Sequence, residues 1–372
     1  MKLAKLWIVA PLLLGCQLED PASPDPKPQS PAATAKAEPA KSAPIGPGLI
    51  ACETLWSAPS GAVAVAEDTP ALPADAPGEP VFEPFAPAAF GILGEIGSVP
   101  IDNEKRVADG REAVPPEGDG VVSILVTWDR NNAELKATLG KESFHAGTCT
   151  GSLIGSQWVL TAAHCAFKRS ETRPVHEIAN ARGVMVFFDE TKKWGGKGVT
   201  GKLYCHSNYG LTRGNHVNDL ALIRLDSPVP HKTMPLVTRA DAPMNSRAGG
   251  IVLTSYGFGQ IAPGTSSDVL LVGTLWLLKN PVACALGGGA KLTFCSQTIG
   301  THQKPSSICP GDSGGPTLAQ AADGKMRQFG VNSFISNPNA DKVICGQSGN
   351  YSAFVELRQY LDWIVRGTGL AL

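Results

Sequence analysis

Cys309-Pro310-Gly311-Asp312-Ser313-Gly314-Gly315-Pro316 sets one serine hydroxyl among glycines, directly after a carboxylate and close to a cysteine. Glycine admits backbone angles that a Cβ forbids, so neighbouring N–H groups in such a turn can converge on one point. The N–H groups of Gly311 and Ser313 are the pair placed to hold a negative oxygen beside the Ser313 hydroxyl. Gly-Ser-Gly-Pro runs are also ordinary turns, so the stretch alone leaves both readings open.

A serine hydroxyl is a weak nucleophile at neutral pH and needs a base within hydrogen-bond reach. Trp158-Val159-Leu160-Thr161-Ala162-Ala163-His164-Cys165 offers one, an apolar β-like run that ends in small residues and presents His164. A histidine base needs a partner to fix its tautomer and stabilise the imidazolium. Asn218-Asp219-Leu220-Ala221-Leu222-Ile223-Arg224-Leu225 supplies Asp219 at the entrance to a strand, where it would be partly buried. Singly, His164 reads equally well as a satisfied core histidine and Asp219 as a turn residue. Together, in the order His, Asp, Ser, they match a catalytic triad.

With these segments and Gly151-Ser152-Leu153-Ile154-Gly155-Ser156-Gln157-Trp158 before the histidine, residues 107–366 resemble a trypsin/chymotrypsin-family serine endopeptidase. Tyr360-Leu361-Asp362-Trp363-Ile364 resembles the closing helix of that family. The resemblance implies an all-β fold of two six-stranded antiparallel barrels with a C-terminal helix and the site in the cleft between them. Short β-rich runs at Val121–Trp128, Val184–Phe188 and Ile251–Tyr256, separated by Gly/Pro/Asn turns, agree independently. It further implies disulfides Cys149–Cys165, Cys284–Cys295 and Cys309–Cys345. Cys52 and Cys205 are left over, and a bond between them, tying the N-terminal segment to the catalytic domain, stays open.

Upstream, Lys2 and Lys5 precede an apolar run from Leu6 to Leu14, shorter than a membrane span and suited to a signal peptide over residues 1–15. Leu13-Leu14-Gly15-Cys16 resembles a bacterial lipobox, which implies cleavage before Cys16 and its lipidation. An ordinary secretory signal with an incidental cysteine is the plainer alternative. Gln17, not an aspartate, points by analogy to the outer membrane of a bacterial envelope. Residues 16–106 are rich in Pro and Ala, with more than half of the 30 prolines before residue 101, and read as a disordered tether. Within it, Leu49-Ile50-Ala51-Cys52 and Phe82–Phe90 are apolar islands, linker by default, with docking as a pro-segment the alternative.

Arg106-Val107-Ala108-Asp109-Gly110 opens the catalytic domain, assigned to residues 107–372, and resembles the activation junction of family zymogens. The resemblance implies a cut after Arg106 and a new Val107 ammonium that pairs with the buried Asp312 carboxylate. Ala108 and Asp109 depart from the family's usual residues there. An exposed Lys105-Arg106 without regulatory meaning is the alternative. Ser307, six residues before the nucleophile, stands where the family has the base of its primary pocket, and the lack of an aspartate argues against cleavage after Lys or Arg. Ser333, Phe334 and Ile335 resemble one wall of that pocket, with Gly349 opposite, and Ser333 is also expected to bond Asp219. Ile335 would shorten the pocket, which favours small or medium apolar side chains.

Net charge is −1 from 32 basic and 33 acidic residues, so no nucleic-acid partner is implied. No Cys-x-x-Cys or His-Glu-x-x-His is present, and no metal or cofactor is expected. Expected partners are protein or peptide substrates, an activating protease and a membrane reached through the lipid anchor; a monomer is expected. The rival class is a catalytically inactive protease-fold binding protein on the cell envelope. Such losses show as a substituted triad member or a damaged oxyanion turn, and neither is seen.

Overall fold

A computed structural model of the chain describes residues 49–52, 110–128, 146–169, 177–189, 192–212, 215–262, 265–279, 292–297, 306–337, 344–347 and 349–372. The signal, lipobox and activation positions Cys16, Arg106 and Val107, the island 82–90 and Cys284 lie outside them. The regular secondary structure of the described chain is mainly antiparallel β-structure. Strand β1 (Leu49–Ala51) comes from the N-terminal segment, and β2 (Arg111–Glu112) follows the activation junction. The first barrel comprises β3 (Val121–Trp128), β4 (Ala146–Gly155), β5 (Trp158–Thr161), β7 (Glu177–Phe187), β8 (Val199–His206) and β11 (Ala221–Leu225). Its order is β8-β11-β5-β4-β3-β7, and pairing of β7 with β8 closes the ring. Closure leaves no open edge inside the barrel. Alternation drives its interior: Val122, Ile124 and Val126 of β3 are all buried, two residues apart. The short β6 (Phe167–Arg169) adds to β7, and β9 (Gly210–Thr212) and β10 (Asn215–Val217) form a hairpin that brings the chain to Asp219.

The second sheet holds β12 (Val252–Gly257), β15 (Leu271–Trp276), β16 (Thr293–Gln297), β17 (Pro316–Gln320), β18 (Met326–Ser336) and β19 (Tyr351–Glu356), with β2 on its edge. Its order is β16-β19-β18-β17-β12-β15-β2. A bridge between Leu277 and Ser296 and the hydrogen bond from Leu278 N to Cys295 O join its ends, so six strands again ring a core. Phe294, Phe329 and Phe354 fill it. Strands β13 (Gln260–Ala262) and β14 (Thr265–Ser266) form a side hairpin. Helix α1 (Leu361–Thr368) ends the fold, capped by Gly369 in the left-handed region, and buries Leu361, Trp363 and Ile364.

The two-barrel architecture and closing helix agree with the sequence expectation. One local expectation is corrected. Leu49–Ala51, read as linker by default, pairs antiparallel with β8 through Leu49–His206, Ile50–Cys205 and Ala51–Tyr204. Leu49 packs against Gly367 of α1, and Cys52 is bonded to Cys205. Three apolar residues suffice because β8 presents unpaired backbone groups beyond its contact with β7, and the disulfide holds the added strand there.

Candidate active site

Asp219, just before β11, receives hydrogen bonds from the turn after β5 and from within β18. His164 lies in a short 3-10 turn, Ala163–Ala166, immediately after β5. Asp219 lies between β10 and β11, and Ser333 projects from β18. Asp219 Oδ1 accepts the backbone N–H of His164 at 2.8 Å, and Oδ2 contacts His164 Nδ1 at 2.8 Å. The Ser333 hydroxyl donates to the same Oδ2 at 2.5 Å. Asp219 is fully buried. Burial alone would raise its pKa, but His164 and His216, with the hydrogen bonds from His164 and Ser333, hold it well below the usual carboxylate range. An ionised Asp219 requires a proton on Nδ1 of His164, which turns the ring's other nitrogen into the acceptor. The His216 ring packs at a tilt against that of His164, 4.7 Å between centroids, with its Nδ1 2.9 Å from the Tyr209 hydroxyl. Asn218 sets the approach of Asp219 to the histidine. Its φ of 51° is left-handed, and its amide holds Asn208 O at 2.8 Å while accepting the Tyr360 hydroxyl at 2.8 Å.

Ser313 stands in a turn that is gripped from both barrels. Gly311 (φ 99°) and Gly314 (φ 82°) occupy the left-handed half of backbone space, where a Cβ is strained. At Gly314 it would also collide with Thr150 O of β4 and with Oγ1 of Thr161, the last residue of the strand that leads to His164. Thr150 of β4 donates its N–H to Ser313 O (2.9 Å) and its hydroxyl to Gly311 O (2.8 Å). From the other side, buried Asn332 uses its whole amide. Nδ2 donates to Asp312 O (3.0 Å) and Tyr256 O (3.3 Å), and Oδ1 accepts Thr317 Oγ1 (2.6 Å) and Ser255 Oγ (3.0 Å). Gly314 N and Gly315 O then pair with the Asn332 backbone. Among the described residues, the N–H groups of Gly311 and Ser313 have no acceptor within the protein, and Pro310 contributes no N–H.

Asp312 points away from the serine into the protein. Oδ1 accepts Gly259 N–H at 2.8 Å and Oδ2 accepts Cys309 N–H at 2.9 Å. Burial pushes its carboxyl up to about 7, against the pull of those two N–H groups and of Lys193. Ser307 is buried, and its Oγ accepts the N–H of Gly346 at 3.1 Å, so its hydroxyl closes the wall made by 344–347. Phe334 and Ile335 are half-buried along β18, while Gly349 (φ 84°) faces Asn337. Cys309 is bonded to Cys345, and Cys149 to Cys165, as the resemblance implied. Cys295 is disulfide-bonded, and its expected partner lies outside the described residues.

His164, His216 and Asp219 each offer a ligand atom within 4.8 Å of the others. A cation there would have to break the His164–Asp219 bond. The neighbouring group of Cys149, His164 and Cys165 offers no thiolate, because its cysteines are bonded to each other. Sequence reasoning missed Thr150, Asn332, His216 and Lys193. The first two are polar residues within strands, and such a residue carries no partner information by itself.

The family model for trypsin matches residues 130–364. Over 227 residues the chain is 29% identical to a collagenase of Hypoderma lineatum, covering 60% of this chain and 76% of that protein. Over 219 residues it is 30% identical to the snake venom serine protease KN13 of Trimeresurus stejnegeri, covering 58% and 76% respectively. The solved structure of HL collagenase aligns with a TM-score of 0.51 at 25% identity, covering 71% of this chain and 99% of that one. A family match over more than half of the chain, on a two-barrel fold with His164, Asp219 and the Ser313 turn gathered in this way, makes the chain a serine endopeptidase of the trypsin family.

Proposed function

We propose that Ser313 is the nucleophile, His164 the general base and Asp219 the group that orients it. The observation that carries this reading is the grip of Asp219 on His164 at both backbone N–H and Nδ1, beside a serine turn clamped by Thr150. Ser313 Oγ attacks the scissile carbonyl carbon as His164 takes its proton. The carbonyl oxygen becomes an oxyanion, received by the N–H groups of Gly311 and Ser313. Collapse expels the amine with the proton from His164 and leaves an acyl-enzyme. Water, activated by the same histidine, then releases the acid. Asp219 stays ionised throughout. Phe334, Ile335, Ser307 and Gly349 line the primary pocket, which takes a small or medium apolar side chain.

The chain is made as a zymogen, and cleavage after Arg106 gives Val107 an ammonium that pairs with Asp312. A signal peptide over residues 1–15 and lipid on Cys16 attach it to a bacterial envelope membrane, the outer one favoured. In support of the first point, β2 begins only a few residues after Val107, and Asp312 is a buried carboxylate whose hydrogen bonds, among the described residues, come from the backbone N–H groups of Gly259 and Cys309.

Labelling with a fluorophosphonate tests the enzyme. The processed chain reacts and its Ser313→Ala variant does not, while His164→Ala slows labelling by about 10³-fold or more. No reaction of the processed wild type would leave the inactive binding-protein reading in place. Cleavage of a peptide library after Lys or Arg in preference to Ala, Val or Leu would refute the pocket assignment. Palmitate incorporation that survives Cys16→Ala would refute the anchor.

A further inference from the structure

Lys193 occupies the turn between β7 and β8 with its backbone fixed at both ends. Its N–H donates to Asp268 O at 2.6 Å, and its carbonyl accepts the Ser123 hydroxyl. Lysines normally carry their ammonium out to water. This one is only 4% exposed, and its ammonium donates inward to Phe258 O at 2.8 Å. The N–H of that same peptide group, on Gly259, donates to Asp312 Oδ1 at 2.8 Å. Cation, peptide and carboxylate therefore form one chain, with the ammonium at the negative end of the peptide dipole and the carboxylate at its positive end. Asp312 is itself only 2% exposed. A buried charge of either sign is costly without the other nearby. Asp268 also acts on Lys193, but it is solvent-exposed and water screens it.

We propose that Lys193 is the internal cation that keeps Asp312 ionised, and so holds the 311–314 turn in place, while the Arg106–Val107 bond is still intact. It acts through Asp312 and is a positioning residue. This rests on the reading above that Asp312 anchors the oxyanion turn. The uncut chain then has basal activity, and cleavage adds a second cation to a site already partly compensated.

The test uses the full chain with Lys105→Gln and Arg106→Gln to block processing, beside wild type cut after Arg106. Both are assayed by fluorophosphonate labelling rate. The uncut chain labels measurably. Lys193→Met slows it by about 10-fold or more in the uncut chain and by less than about 3-fold in the cut one, where the Val107 ammonium compensates. Lys193→Gln keeps a donor for Phe258 O without the charge and behaves like Lys193→Met. Lys193→Arg keeps the charge and recovers part of the rate. Thermal melting verifies that each variant is folded, and Lys193→Gln is read if Lys193→Met is not. Equal losses in cut and uncut chains, no loss in the uncut chain, or a silent uncut chain beside a reactive cut one would each overturn the proposal. A silent cut wild type would instead overturn the enzyme assignment.

Discussion

The Asp219 carboxylate takes three hydrogen bonds from two separate parts of the chain, His164 and Ser333, and the Ser333 bond can be removed alone. Ser333 supplies a hydrogen bond to a charged acceptor, a class worth about 1.5–3 kcal/mol. Ser333→Ala is expected to lower kcat/KM by about 10-fold with KM little changed, because the bond orients His164 and does not bind substrate. Steady-state kinetics on a peptide ester would read this. Asn218 makes a different point, since its left-handed backbone and its amide contacts are separable. Asn218→Gly keeps the φ and loses the contacts, whereas Asn218→Ala loses the contacts and adds strain of about 1 kcal/mol. The alanine variant should melt below the glycine variant; equal melting points would show that the backbone is not constrained there. At this scale His164, Asp219 and Ser313 were legible because each stands in a distinctive run of neighbours. Thr150 and Asn332 were not. Their partners lie far away in sequence, and a lone threonine or asparagine in a strand looks the same whether it clamps a turn or faces solvent.

Among elements, the strands were readable where alternation lasted. Val121–Trp128 came through unchanged, and the run at 251–256 is displaced by one residue into β12. Closure was legible only through the family resemblance, not from the strands themselves, because the β7–β8 pairing and the Leu277–Ser296 bridge depend on strand curvature and not on composition. β1 escaped the sequence reading for another reason. Three residues carry no periodicity, and their stability comes from the edge of β8 and the Cys52–Cys205 bond. Removing that bond with the paired substitutions Cys52→Ser and Cys205→Ser is expected to cost about 2–4 kcal/mol of stability. Thermal unfolding of the uncut chain tests it, and an unchanged melting point would show that β1 contributes nothing.

Across the whole molecule, two buried acids and one buried histidine set opposed responses to pH. Burial pushes Glu356 up to about 7; Oε2 accepts Asn245 N–H, and among the described residues Oε1 has no hydrogen-bond partner. Its folded pKa lies above the unfolded value, so the folded state binds more protons and stability falls as pH rises from about 4.5 to 7. Asp312 acts in the same direction. His206, packed on Tyr360 and Trp363, is held down to about 4 by burial, so its contribution is lost as pH falls below 6.5. Glu356→Gln should therefore raise stability at pH 8 by about 1–3 kcal/mol and leave it unchanged at pH 4.5, as read by chemical denaturation. A gain of equal size at both pH values would mean that charge is not the cause. The Cys52–Cys205 bond has one more consequence at this scale, because it spans the Arg106–Val107 junction. For a chain lipidated at Cys16, activation would not be release. The cut enzyme would stay on a leash of residues 17–48, with a reach of about 100 Å when fully extended. It would patrol the membrane surface until a thiol, and not a second protease, set it free.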